Sequence, residues 1–211
     1  MVMNSRGSIR ILTVDDHPLL REGIAAAIGR QTDMVLVAEA NNGREAIEQF
    51  RAHHPDITLM DLQMPLMNGI DAILAIRKEF PEARIIVLTT YSGDAQAVRS
   101  FSAGASGYLL KGMIRKELIE TIRSVHAGRK RIPPEIATEI AEHHADDALS
   151  EREIEVLRHV AAGNANKMVA TRLAISEDTV KAHMKSILAK LGANDRTHAV
   201  TIGLKRGIIE L

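Results

Sequence analysis

The sequence predicts an α/β fold for its first part, a doubly wound parallel five-stranded sheet, followed by an all-α part that contains a helix-turn-helix. Three observations lead there. Short β-rich apolar runs alternate with helix-patterned segments five times before residue 128. Several of those runs are apolar at nearly every position, as parallel strands covered on both faces must be. From Ser150 onward only helical periodicity remains.

Element by element, the first strand is Ile9–Val14 ("IRILTV"), ending in two adjacent carboxylates, Asp15 and Asp16. Strands are then expected at Met34–Ala38, Ile57–Met60 ("ITLM"), Arg84–Leu88 ("RIIVL") and Gly107–Leu110. Helical patterns fill the intervals, among them "REAIEQFRAHH" after the Asn41-Asn42-Gly43 turn and "IDAILAIRKEF" after Asn68-Gly69. Such alternation implies right-handed crossovers and helices on both faces of the sheet. After "SVHAGRKRIPPEI" the alternation stops, and Pro133-Pro134 with the acidic "EIATEIAEHHADDA" reads as a tether holding one short amphipathic helix over Glu135–His143. Ser150-Glu151-Arg152-Glu153 fits a capping box ahead of "IEVLRHVAAG", with Gly163 as its stop. "NKMVATRLAI", a short turn with Ser176 as N-cap, "EDTVKAHMKSILAKLG" and "RTHAVTIGLKRG" complete the helices. In the longest of these, Val180, Met184, Ile187, Leu188 and Leu191 form an apolar stripe. Lys181 and Lys185 share another face, with Lys190 further along. The organisation is residues 1–128, a linker over 129–148, and 149–211.

Composition narrows the function. Of 211 residues, 45% are hydrophobic, enough for a proper core, and no run approaches the length of a membrane span. The N-terminus lacks the apolar region and cleavage site of a secretory signal, so a cytoplasmic protein with no membrane partner is expected. With zero Cys, disulfides, thiolate metal sites and cysteine nucleophiles are excluded. Net charge is zero, yet unevenly spread. Residues 1–131 carry 17 Lys and Arg against 15 Asp and Glu, residues 132–149 none against 5, and residues 150–211 carry 10 against 7. The mildly basic last part invites a polyanionic partner. The adjacent pairs His53-His54 and His143-His144 make no chelate on their own, because neighbours on a helix point about 100° apart.

In open α/β sheets, ligands bind outside the carboxyl ends of the strands. Those ends hold Asp15, Asp16, Asp61, Thr89 and Lys111. Any one of the acids reads as a helix cap; five chemistry-bearing residues on one edge read as a site. Clustered carboxylates repel, and a hard divalent cation relieves them; ligands that are all oxygen favour Mg²⁺ over zinc. Lys111 offers a mobile charge and Thr89 a hydroxyl for phosphoryl oxygens, so the edge suits a phosphoryl group beside Mg²⁺, with a carboxylate to receive it.

"VDDHP", "PDITLMDLQMPLMNG", "IIVLTT" and "GASGYLLKG" together resemble the receiver domain of bacterial two-component response regulators over about residues 9–127. The resemblance implies that Asp61 accepts phosphate from a sensor histidine kinase. It also implies that Asp16 binds Mg²⁺ directly, Asp15 binds it through water, and the Gln63 backbone carbonyl completes the protein ligands. Thr89 and Tyr108 match the switch pair, and Lys111 the phosphate-contacting lysine. The residue after that lysine is Gly112, where the family often has proline in a cis peptide. A Mg²⁺-dependent aspartyl phosphohydrolase is the alternative. It needs a second acid two residues after its nucleophile, and position 63 is Gln.

The segment "LSEREIEVLRHVAAGNANKMVATRLAISEDTVKAHMKSILAKLGANDRTHAV" is similar to the LuxR-type DNA-binding domain of NarL/FixJ regulators. That match implies that Lys181, Ala182 and Lys185 enter the major groove with Thr179 beside them, while Lys167 approaches the backbone. Double-stranded DNA, a sensor kinase and a second copy of the chain are the implied partners. Ala165 and Met168 depart from the family pattern around "NK". Aromatic content of 2% with no Trp leaves little for RNA base stacking. The chain thus reads as a non-enzymatic, phosphorylation-controlled transcription regulator.

Overall fold

A computed structural model describes residues 7–90, 93–142 and 148–209. The chain forms two compact units, the first on residues 7–90 and 98–133, the second on residues 93–97, 134–142 and 148–209.

Up to residue 126 the elements are β1 (Ile9–Val14), α1 (Pro18–Gly29), β2 (Met34–Ala40), α2 (Gly43–His53), β3 (Ile57–Asp61), α3 (Gly69–Glu79), β4 (Ile85–Thr89), α4 (Asp94–Ala103), β5 (Gly107–Leu110), a single 3₁₀ turn (Lys111–Met113) and α5 (Ile114–His126). All strand pairs are parallel, in the order β2-β1-β3-β4-β5. β3 and β4 are buried at every residue, which is why their sequences show no polar alternation. Strand β2 runs two residues past the expected Ala38. A register shift between Ile11 and Leu12 absorbs one residue of β2, and the strand then stays paired until Val14 meets Ala40. Ile11, Ile24, Ile57, Leu59, Ile86, Leu88 and Leu118 are among the fully enclosed side chains of this unit's core.

Local sequence fixes the helix ends. Asn42 caps α2 by accepting from the Arg44 and Glu45 amides, and α2 stops where His54 takes a left-handed conformation (φ 43°). Asn68 caps α3 in the same way, accepting from the Asp71 amide at 2.9 Å. His53 and His54 thus sit at a helix end; His143 and His144 lie outside the described residues. After α5 the chain returns beside β5: the Tyr108 amide donates to the Arg131 carbonyl at 2.9 Å and the Arg131 amide to that of Ser106 at 3.1 Å.

The second unit contains α6 (Pro134–Glu142), α7 (Glu151–Ala161), α8 (Asn166–Leu173), α9 (Glu177–Leu191) and α10 (Arg196–Lys205). The Ser150–Glu153 capping box at α7 is formed on both sides. Between α8 and α9, Ala174 is left-handed (φ 53°) and Ser176 caps α9 through the Thr179 amide, which gives the helix-turn-helix its tight bend. Val156, Leu157, Val169, Val180, Ile187 and Ala199 form the centre of a separate core. Of the expected α9 stripe, Val180, Met184, Ile187 and Leu191 are buried, while Leu188 packs at the margin, half-buried. No helix of the described residues is long and apolar enough to cross a membrane.

Candidate functional site

The strand order places the point where the chain reverses direction across the sheet between β1 and β3, and their carboxyl ends carry the acids. Asp15 follows β1 directly, its amide bonded to the Ala40 carbonyl at 3.1 Å, and its side chain is fully buried. Asp61 closes β3 and is 3% exposed. The loop after it is pressed back on the strand, since a Cβ on Gly69 would collide with the Asp61 carbonyl. Glycine there lets α3 begin against the end of β3 and hold the Asp61 backbone in place.

Lys111, just after β5, bridges the two buried acids: its Nζ lies 2.8 Å from Asp15 Oδ2 and 2.9 Å from Asp61 Oδ2. Asp61 Oδ1 accepts the Leu62 amide at 2.8 Å. Asp15 Oδ2, Asp16 Oδ1 and Asp61 Oδ2 are sealed from solvent and accept no well-formed hydrogen bond; Lys111 and His17 reach them only as ion-pair partners. Burial pushes the Asp61 carboxyl above the usual Asp range, against the pull of Lys111, and the Asp15 charge adds to the rise. Burial alone would lower Lys111, but its bonds to Asp15 and Asp61 outweigh this and raise it. The pocket holds more negative charge than one lysine neutralises.

Thr89 ends β4 and Tyr108 lies inside β5; both are buried, and Tyr108 is wholly enclosed, its ring 6.4 Å from that of Phe101. Gln63 stands two residues past Asp61, and its backbone amide, with Lys111, only partly offsets the rise that burial gives the Asp61 carboxyl. Gly112 lies in the 3₁₀ turn, and the described residues contain no cis peptide bond.

One residue of this pocket escaped the sequence reading. The His17 imidazole lies 2.7 Å from Asp16 Oδ1 and 3.2 Å from Asp15 Oδ1. Ligand atoms of Asp15, Asp16, His17 and Asp61 all fall within 4.8 Å of one another, a group that could hold a metal ion. The only signal was adjacency in "VDDHP", and adjacency does not say which way a ring turns.

In the second unit, α9 presents Asp178, Lys181, Ala182 and Lys185 on its exposed side, with Thr179 half-buried beside them; Lys167 is exposed in the first turn of α8. Lys181 pairs with Asp178 at 2.9 Å. Lys190 departs from the expected charged face: its ammonium turns inward to Glu153 Oε2 at 2.8 Å and the Ala148 carbonyl at 3.2 Å. Glu153 also accepts from Ser186 at 2.6 Å and from the Ser150 amide at 2.7 Å. Burial would raise that carboxyl, but these donors hold it at about 2. Those from Ser186 and Lys190 tie α9 to the first turn of α7.

Comparison with known proteins gives two family matches. Residues 11–123 match the response regulator receiver domain, and residues 147–202 match the bacterial regulatory proteins of the luxR family. The chain is 34% identical to the transcriptional regulatory protein LnrK of Bacillus subtilis, over 95% of this chain and 98% of that protein. It is also 34% identical to the response regulator protein VraR of Staphylococcus aureus, over 96% and 100%. Among solved structures, a LuxR-family two-component response regulator from Aurantimonas sp. SI85-9A1 is 43% identical, covering 64% of this chain and 97% of its own, with a TM-score of 0.62. RcsB from Salmonella enterica serovar Typhimurium, bound to promoter P1flhDC in the presence of the phosphomimetic BeF3−, is 26% identical, covering 95% and 100%, with a TM-score of 0.73.

Proposed function

This chain belongs to the DNA-binding transcriptional response regulators, a receiver domain joined to a LuxR-type helix-turn-helix, and from that premise we propose that Asp61 is its phosphoacceptor and α9 its DNA-reading helix. The observation that carries the first assignment is the cluster at the β1/β3 end of the sheet, in which buried Asp15 and Asp61 meet half-buried Asp16 and Lys111. Solvent-shielded carboxylate oxygens held only by one ammonium and one imidazole at ion-pair distance suit a hard cation. Asp15, Asp16 and Asp61 would hold Mg²⁺ with the Gln63 carbonyl. When bound, Mg²⁺ neutralises charge on the carboxylates and on the phosphoryl oxygens.

The Leu62 amide fixes one oxygen of Asp61 and leaves the other to attack phosphorus. The bond to phosphorus forms as the bond to the imidazole nitrogen of a kinase phosphohistidine breaks, and the imidazole leaves. Lys111 moves from its carboxylate partners to a phosphoryl oxygen, and the Thr89 hydroxyl takes another, with Tyr108 behind it as the second half of the switch. Gln63 supplies no proton to a leaving group, which favours a phosphorylated regulator over a phosphohydrolase.

For the output unit, residues 149–211, Lys181, Ala182 and Lys185 face the bases, Thr179 flanks them, and Lys167 meets a backbone phosphate. Solved RcsB structures, among them two dimers bound to two parallel DNAs, support double-stranded DNA as the partner and a homodimer as the binding form. A sensor histidine kinase is the phosphoryl source. The receiver spans residues 1–128 and the linker 129–148. A chain that meets DNA and a sensor kinase would work in the cytoplasm, which is the location we infer.

The test is phosphoryl transfer from acetyl phosphate or a phosphorylated kinase. Wild type is labelled only with Mg²⁺, Asp61→Asn is unlabelled, and Asp16→Ala loses the Mg²⁺-dependent labelling. Labelling of Asp61→Asn at the wild-type level removes the assignment.

A further inference from the structure

The outward stripe of α9 is not purely cationic. At about 100° per residue, positions 178, 182, 185 and 189 fall within a narrow arc of roughly 60°, with Lys181 about 40° beyond its edge. All five residues are exposed, while Val180, Met184, Ile187 and Leu191 are buried on the opposite side. A docking that turns Ala182 and Lys185 to the bases therefore turns Asp178 to them as well, one turn nearer the N-terminus. That end of a recognition helix is the part that reaches base edges. Asp178 also lies 2.9 Å from the Lys181 ammonium, so its carboxylate is oriented along the same face.

A carboxylate carried between two rows of phosphates is repelled unless it meets a donor. The major groove offers two, the exocyclic amino groups of cytosine and adenine. Adenine places its N7 acceptor beside the amino group, where it repels a carboxylate, whereas cytosine places a C–H there. Guanine and thymine present acceptors at their edges. Resting on the DNA-binding reading above, we propose that Asp178 is a specificity-determining residue that accepts a hydrogen bond from cytosine N4 at one position of each half-site. Lys181 spends one of its three donors on Asp178 and keeps the others for neighbouring acceptors. The pair reads donor and acceptor side by side.

The experiment is selection from a randomised duplex library, followed by competition titrations. It uses the full chain with Mg²⁺ and acetyl phosphate, as wild type, Asp178→Asn and Asp178→Ala, with circular dichroism confirming that each variant is folded. Wild type enriches cytosine at one position per half-site, and changing it to thymine weakens binding roughly 5- to 100-fold. Asp178→Ala reduces that penalty to about twofold or less. Asp178→Asn can donate to thymine O4 as well as accept from cytosine N4, so it binds both about equally. An unchanged preference in both variants overturns the proposal. So does an Asp178→Ala affinity that rises equally on every sequence, which makes the carboxylate a general brake. Failure of wild type to enrich any sequence is a separate result: it overturns the DNA-binding reading first, and the proposal with it.

Discussion

At Asp61 the two carboxylate oxygens meet different surroundings: one receives the Leu62 amide, the other faces Lys111 with Asp15 close behind. Burial raises this carboxyl above its unfolded value, so the native state holds more protons than the unfolded state between those two values. Stability therefore falls as pH rises through that window, and an ionised Asp61 destabilises the metal-free receiver at neutral pH. Asp61→Asn removes that charge and leaves Lys111 its pair with Asp15. In chelator at neutral pH the variant should gain about 1 kcal/mol and melt roughly 3–6 °C higher. Below the ordinary Asp range the gain should shrink, because wild type is then protonated too. Adding Mg²⁺ should stabilise wild type more than the variant. Melting curves with and without Mg²⁺ decide this, and a lower midpoint for metal-free Asp61→Asn refutes the charge argument.

Among the elements, α9 depends on a buried acid outside it. Glu153 sits near the start of α7, completes the capping box and receives Ser186 and Lys190 of α9. Its carboxyl lies at about 2 in the fold against 4.5 ordinarily, so its contribution, about 3 kcal/mol by that difference, is complete above the unfolded value. It is lost as pH falls through 4.5 towards 2. Thermal unfolding of the helical unit should show an acid limb in that window. Glu153→Gln should be less stable at pH 7 and flatter below it, and equal acid limbs in both proteins exclude the network as the cause. Only half of this arrangement is legible in the sequence. The capping box is local, its two residues three apart, and reads directly. The Lys190 pairing joins residues 37 apart and is set by how α7 crosses α9, which periodicity does not encode. The same limit explains Leu188: a helical wheel gives a direction, and packing decides how far a side chain is covered. The strand ends read well because buried parallel strands advertise themselves by apolar runs that stop at Asp15, Asp61, Thr89 and Lys111. β2 was misjudged by two residues because its bulge leaves no mark in composition.

For the whole molecule, the proposed phosphoacceptor lies in one unit and the proposed DNA-reading helix in the other, so regulation on this reading requires a free-energy coupling between phosphoryl and DNA binding. Phosphorylation at the proposed acceptor would add about −1.5 to −2 charge to a pocket already rich in carboxylates, and the Thr89 hydroxyl and Lys111 are the groups proposed to answer it. The output unit is small and its net charge modest, and a single module of that size buries too little DNA for tight specific binding. On the proposed reading, two copies on half-sites about one helical turn apart would supply the missing area, and phosphorylation would act by favouring that pair. Wild type with Mg²⁺ and acetyl phosphate should therefore bind a two-half-site duplex 5- to 150-fold tighter than untreated protein, the usual range of such coupling. Inserting about 5 base pairs between half-sites should abolish the gain by turning them to opposite faces of the duplex, and inserting about 10 should restore part of it. Thr89→Ala should still be labelled at Asp61 yet show little gain, because the hydroxyl that converts the new charge into a conformational bias is gone. Titrations on the three duplexes with both proteins test the chain of argument link by link. Affinity indifferent to spacing removes the paired binding mode, and a full gain in Thr89→Ala removes Thr89 as the switch.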